Sequence, residues 1–299
     1  MSWSSPTAEK FPLHQATKPE AFDPFSPAFS PENYSEGKSH FQITFYFVWE
    51  QKRRQALADL YAFCRIADDI SDQKDLDKET RQNLIESIRH WVKTGEPKSH
   101  PFWSRFLKAR KEFQIPDRAL MGILDGVSQD IDRERVEFQT WVELDLYIYG
   151  VACCVGECVL AILGANSPEA KNYADAMGKC LQYLNIMRDI EEDETNGRIY
   201  IPREFLKTLT KDRFPPIHCL PDIRRELFSR AMTFRQNAQP YSKKCLPAEL
   251  MAALYIRASQ KYWRHGNPKR LSGFQKFWIS LKTALKFYLG AQPPRRHQV

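Results

Sequence analysis

Apolar residues along this chain recur mostly at three- and four-residue spacing, the period of an α-helix, and seldom alternate. Within residues 83–92, Leu84, Ile88, Trp91 and Val92 fall on one face. Within 102–113, Phe102, Phe106 and Ala109 or Arg110 do the same. Pro116 and Asp117 open a further helix, read over 119–136, with Leu120, Ile123, Leu124, Val127 and Ile131. Residues 51–71 continue one helical pattern, and polar residues 73–80 mark its exit. Ser167 is a fitting cap for a helix that starts at Pro168 and stops at Gly197. Two more are read at about 222–237 and 247–265, and an amphipathic one at 273–290. Within 39–50, Phe41, Phe45 and Val48 share a face, and three consecutive aromatics at 45–47 break any strand alternation. The first 37 residues hold six prolines and little periodicity, so they read as a poorly ordered leader.

The most apolar window, 146–165, carries one charge, Glu157. It is long enough to cross a membrane. Glu157 near its middle and Gly150, Gly156 and Gly164 argue instead for the central helix of a large α-bundle, apolar on all sides. The expected class is therefore all-α: a bundle over 38–290, a leader over 1–37 and a basic tail over 291–299.

Composition narrows the function. The net charge is +7, yet acids and bases are interspersed and no Lys/Arg run reaches five, which argues against a nucleic-acid partner. A mild excess suits an anionic membrane surface or diphosphate substrates. Seven cysteines, an odd number without a C-x-x-C pair, read as reduced thiols in the cytoplasm. The N-terminus lacks the basic and apolar regions of a signal peptide.

The chemistry concentrates in two stripes. Asn185, Asp189 and Asp193 are spaced i, i+4, i+8 and so share a helix face, with Arg188 beside them. Acids at i, i+4 weaken a helix by roughly 0.2–0.5 kcal/mol, and a bound hard cation would compensate them. A solvated acidic turn is the plain alternative, since Glu191, Glu192 and Glu194 crowd the same place. Asp68 and Asp72 repeat the i, i+4 pattern in an otherwise apolar segment, with Arg65 one turn earlier. Carboxylates in such a segment are costly unless paired or metal-bound. If the two helices face each other, four carboxylates could hold Mg²⁺ and the arginines could meet a diphosphate.

The segments YAFCRIADDISD (61–72) and LNIMRDIEEDETNGRIYIPRE (184–204), with YIYGVACCVGE (147–157) between them, resemble the signatures of the squalene/phytoene synthase family. The resemblance covers roughly 39–290. It implies an isoprenoid synthase-type bundle around a central apolar cavity, and a prenyltransferase that joins two prenyl diphosphates head to head. It makes Asp68, Asp72, Asn185, Asp189 and Asp193 the metal candidates, for Mg²⁺ or Mn²⁺. Arg65, Arg188 and Gln182 become candidates for the diphosphate, with Arg198 and Tyr200 closing that end. Ser39, Phe41, Phe45, Tyr61, Tyr147 and Tyr255 match cavity positions, Tyr147 as the family's cavity tyrosine. The small residues Gly150, Ala152, Cys153, Cys154 and Gly156 are expected to leave room for a long lipid chain. The family also has an aspartate near the motif DGVSQD (125–130), whose role spacing does not assign; Asp125 and Gln129, at i, i+4, either extend a polar cavity wall or, as the preferred reading, form a solvated face. Gly37 and Lys38 stand where some relatives carry a His-Ser pair.

Two farnesyl diphosphates, giving presqualene diphosphate or a squalene-type C30 product, are the favoured substrates. Two geranylgeranyl diphosphates, giving phytoene, are the alternative. NADPH enters only if the reaction proceeds to squalene. A terpene cyclase is disfavoured by YIYGV and GRIYIPRE, and a non-catalytic assembly protein by the presence of all four aspartates. The segment 273–290 places Trp278 beside Lys276 and Lys282, which suits peripheral membrane contact; a terminal helix packed on the core is the plainer alternative.

Overall fold

The computed structural model describes residues 24–26, 48–73, 75–97, 100–132, 136–211 and 217–238, with isolated positions between 246 and 283. The structured part is almost wholly helical. Helix α1 spans Gln51–Asp72, α2 Lys78–Thr94, α3 Pro101–Glu112 and α4 Asp117–Asp132. Helix α5, Trp141–Ile148, passes through a π-turn, Tyr149–Cys153, into α6, Cys154–Ile162. The long helix α7, Pro168–Thr195, is followed by α8, Arg203–Leu209, a 3₁₀ turn, Ile217–Cys219, and α9, Leu220–Asn237.

Local chemistry sets most of these boundaries. The Asp77 carboxylate accepts the Thr80 N–H at 2.8 Å, so α2 begins five residues before its apolar stripe. It ends at Gly95, whose φ of 76° is left-handed. Ser167 caps α7 as expected, accepting from the Ala170 N–H at 3.3 Å. Residues 48–50, expected as helix, are not helical; the Arg54 guanidinium donates to the carbonyls of Val48 and Trp49 at 2.8 and 3.1 Å and holds them outside α1.

Two apolar cores result. One gathers α1 to α4 around Phe63, Trp91, Trp103 and Phe106. The other gathers the later helices around α7, through Tyr183, Leu184, Met187 and Ile223. Each fully buried large side chain contributes about 1.5–3 kcal/mol. The segment Trp141–Ile162 is apolar and long enough to cross a membrane. Here Leu144, Ile148, Cys153, Cys158 and Ile162 are buried between the two cores, in a central helix.

At Gly150 of that helix, and at Gly178 opposite it, the missing side chain does not open a void among the described residues. A Cβ on Gly150 would lie 2.9 Å from the Gly126 Cα and the Gly122 carbonyl oxygen of α4. One on Gly178 of α7 would lie 2.7 Å from the Cys153 Cα. The missing side chains are replaced by neighbouring backbone, so α4, the π-turn and α7 pack in close contact.

One feature escapes helical periodicity. Strands β1, Val136–Glu137, and β2, Arg198–Ile199, pair in parallel, with Val136 opposite Arg198 and Glu137 opposite Ile199. They are two residues each, too short for a pattern to show.

Candidate active site

The β1–β2 pairing builds the site. Arg198 directly follows the end of α7, and the pairing turns it toward the end of α1, where its guanidinium forms an ion pair with Asp72. The two partners are 126 residues apart in sequence. Arg198 also lowers the pKa values of Asp68 on α1 and Asp193 on α7 through its charge. One guanidinium therefore sits within the field of both acid stripes, and the two helix ends form one electrostatic unit.

Each stripe keeps a cation of its own. Arg65 donates to Asp68 at 3.0 Å and to Asp69 at 2.9 Å. Arg188 lies along Asp189, with its Nε 2.6 Å from the carboxylate. No arginine or lysine pairs directly with Asp193 among the described residues. Burial, then the negative charge of Asp189, pushes the Asp193 carboxyl up to about 7. Burial, then Asp72, pushes Asp68 up to about 6, with Arg65 offsetting part of the rise. The Asp68 side chain still keeps 46% of its exposure, so it faces an open groove with protein on the remaining sides. Burial works against the charge on Arg198, but Asp72 and Tyr200 hold it firmly protonated.

Asn185 stands one turn before Asp189 on the same helix. Its Nδ2 donates to Gln182 Oε1 at 3.3 Å, while its buried Oδ1 accepts no hydrogen bond. Tyr61 is half-buried within the field of Arg65. A small crevice of about 10 Å³ lies beside Asp193, Arg198 and Tyr200, with Ile186, Ile190 and Ile201 as its apolar wall.

An aromatic floor lies behind Arg198. The rings of Tyr147, Tyr200 and Phe138 sit with centroids 5.3 to 6.0 Å apart. The Tyr147 hydroxyl donates to Asp130 Oδ2 at 2.9 Å and lies 3.3 Å from the Tyr200 hydroxyl.

The structure thus brings together Arg65, Asp68, Asp72, Tyr147, Arg188, Asp189, Asp193, Arg198 and Tyr200, with Asn185 and Gln182 one and two turns back along α7. Ser39, Phe41, Phe45 and Tyr255 lie outside the described residues, and so does the cavity lining expected from them. Three participants were missed. Asp69 adjoins Asp68 in the sequence, and its i, i+4 relation to Arg65 could have revealed it. Phe138 and Asp130 reach the site only through β1 and the end of α4, and spacing carries no sign of either. Asp125 of the same motif turns away to Arg89, so the reading of a solvated face holds for it.

Paired acid stripes at one end of an all-α bundle, with arginines and an aromatic floor beside them, place the chain in the all-α class. The fold agrees with a solved dehydrosqualene synthase in complex with ligand at a TM-score of 0.73, with 20% identity, over 88% of this chain and 95% of that one. Squalene synthase HpnC from Alicyclobacillus acidocaldarius matches at a TM-score of 0.56 with 21% identity, over 86% and 93%. Residues 36–265 match the squalene/phytoene synthase family, and the chain belongs to it.

Its relatives include a presqualene diphosphate synthase of Zymomonas mobilis subsp. mobilis, 32% identical over 191 residues, 59% of this chain and 65% of that protein. A 4,4'-diapophytoene synthase of Staphylococcus haemolyticus is 36% identical over 166 residues, 54% and 57%. A phytoene synthase of Mycobacterium tuberculosis is 33% identical over 159 residues, 53% and 52%. The matches span about half to two thirds of the length of these curated relatives.

Proposed function

We propose that this protein is a prenyltransferase that condenses two prenyl diphosphates head to head with loss of diphosphate. Two farnesyl diphosphates, giving presqualene diphosphate or a squalene-type C30 product, are the preferred substrates. The Arg198–Asp72 ion pair carries this reading, because it joins two acid stripes that the chain keeps far apart. The presqualene diphosphate synthase relatives support the choice of product. The phytoene synthase relatives favour a second reading, with two geranylgeranyl diphosphates.

The donor set fits a divalent cation. The Asn185 Oδ1 is a buried acceptor without a partner, and burial makes Asp68 and Asp193 hold their protons more tightly than free carboxyls. Among the described residues no three acidic, His or Cys side chains converge on one point. Mg²⁺ keeps several waters and takes one or two carboxylates together with substrate phosphates. Asp68, Asp72, Asn185, Asp189 and Asp193 would hold it, and Mn²⁺ would serve in its place. When bound, it neutralises charge on the diphosphate leaving group.

The remaining roles belong to the chain. Arg65, Arg188 and Arg198 are planar multi-donor groups now spent on Asp68, Asp189 and Asp72, and each can be re-aimed at diphosphate oxygens. Tyr61 and Gln182 flank the groove. Phe138, Tyr147 and Tyr200 exclude water from the floor, where a carbocation needs shelter, and each ring face offers about 0.5–2 kcal/mol of cation–π attraction.

Incubation with each prenyl diphosphate and Mg²⁺, with and without NADPH, followed by mass spectrometry of the extract, tests the reading. A C30 product from farnesyl diphosphate supports it, and NADPH is required only if the product is squalene. Cyclisation of a single diphosphate, or no release of diphosphate from either substrate, overturns it. The same reading puts the enzyme in the cytoplasm, in keeping with six described cysteines that are all unpaired. It also assigns residues 273–290 to peripheral membrane contact. Deleting 273–299 should abolish flotation with anionic liposomes; unchanged flotation rejects that assignment.

A further inference from the structure

We infer that Asp130 is a positioning residue that sets the hydrogen-bond direction of Tyr147, and through it the polarity of the site floor. The inference rests on the proposed condensation and adds to it a residue outside both acid stripes.

A carboxylate only accepts, so the 2.9 Å contact has Tyr147 donating to Asp130. Tyr147 has a single hydroxyl proton, and that contact uses it. In the 3.3 Å contact between the two hydroxyls Tyr200 must therefore be the donor. The order is fixed as Tyr200 to Tyr147 to Asp130. Both tyrosines are buried, at 4% and 8% exposure, so water has little access with which to scramble it. Tyr147 consequently offers only acceptor lone pairs to anything else that approaches it. Its O–H dipole has the positive end held at Asp130, and of the two lone pairs at the negative end one takes the Tyr200 proton and one remains.

Three elements make this arrangement. Asp130 lies in the last turn of α4, Tyr147 near the end of α5, just before the π-turn, and Tyr200 directly after β2. The β1–β2 pairing brings Tyr200 over Phe138 and Tyr147. Asp130 also strengthens the charge on Arg198, the residue that bridges the two stripes. It thus stands behind both the tyrosine pair and the arginine without lining the metal-binding face. A floor that presents oxygen lone pairs is the polarity a cationic intermediate needs. The reverse orientation would aim a proton at it.

The test is a double-mutant cycle. Asp130→Ala should lower kcat by about 10- to 100-fold, the usual cost of losing a group that orients a working residue, with KM changed less than about twofold. In a Tyr147→Phe background the same substitution should cost nothing more. Asp130→Asn keeps an acceptor oxygen and should retain the larger share of kcat. Multiplying losses in the double variant, or full kcat in a folded Asp130→Ala protein, overturn the inference. A crystal structure of Asp130→Ala or Asp130→Asn gives a readout independent of turnover. A displaced Tyr147 hydroxyl in the alanine variant, restored in the asparagine variant, supports the role; an unmoved Tyr147–Tyr200 pair in the alanine variant refutes it. If the wild-type protein turns over no prenyl diphosphate, the proposed function fails, and this structural comparison still decides the role of Asp130.

Discussion

Asp68 and Asp193 illustrate, at the scale of one residue, how burial and then a neighbour's charge move a carboxyl. Both belong to i, i+4 acid pairs, and both have pKa values raised in the folded protein, to about 6 and about 7. An unfolded aspartate titrates near ~3.9. Between these values the folded state binds more protons than the unfolded one, so stability falls as pH rises. The contribution is whole below the unfolded pKa and is lost as pH passes through 6 and 7. In chelator, the melting temperature of the wild type should therefore fall between pH 5 and pH 8 more than that of an Asp68→Asn, Asp193→Asn double variant. Mg²⁺ at pH 8 should recover the difference. Parallel melting curves with and without the metal would contradict this.

Asp189→Ala should reduce turnover by two or more orders of magnitude while circular dichroism stays unchanged, because its partner Arg188 is exposed and loses little. The acids themselves were legible in the sequence, since helical spacing on an apolar segment is a local signal. The motif DGVSQD marked an aspartate at or near Asp130, but the role of Asp130 was not legible, because its partner Tyr147 is 17 residues away and its place depends on how α4 and α5 pack.

Among the elements, β2 does the most with the fewest residues. Among the described residues the sequence foretold every long helix but neither strand, since two residues carry no alternation. The outcome for residues 48–50 has a similar cause: Val48 fits the apolar stripe, but side-chain hydrogen bonds to its carbonyl outweigh the period. Arg198→Ala should raise KM for the diphosphate substrate more than it lowers kcat, if Arg198 acts mainly in binding; steady-state kinetics at saturating Mg²⁺ measures this. The glycines of the central packing are sensitive for a different reason. Gly178→Ala forces a methyl group against the Cys153 backbone, and overpacking of this kind costs about 1–3 kcal/mol. Thermal denaturation should show a drop of several degrees, with the catalytic residues untouched.

For the molecule as a whole, the all-α class and family were legible because they rest on many independent short-range signals. The reading of the central helix was half right. It is the apolar axis of the bundle, as its composition implied. Its small residues bring helices together instead of opening a void, and only the backbone positions of α4 and α7 decide between those outcomes. The mild positive charge likewise divides unevenly in space. The ends of α1 and α7 are strongly acidic, so the basic excess lies elsewhere.

The bond from Arg198 to Asp72 has a consequence for biosynthesis. During translation, α1 emerges with its acids more than a hundred residues before the guanidinium that closes on them. A nascent or prematurely released chain that stops short of α7 carries one acid stripe without the other, and one that stops short of β2 carries both without the guanidinium that joins them. On the proposed function, stalled fragments should be unable to ionise a prenyl donor, so a reactive carbocation would never form where no shelter exists for it.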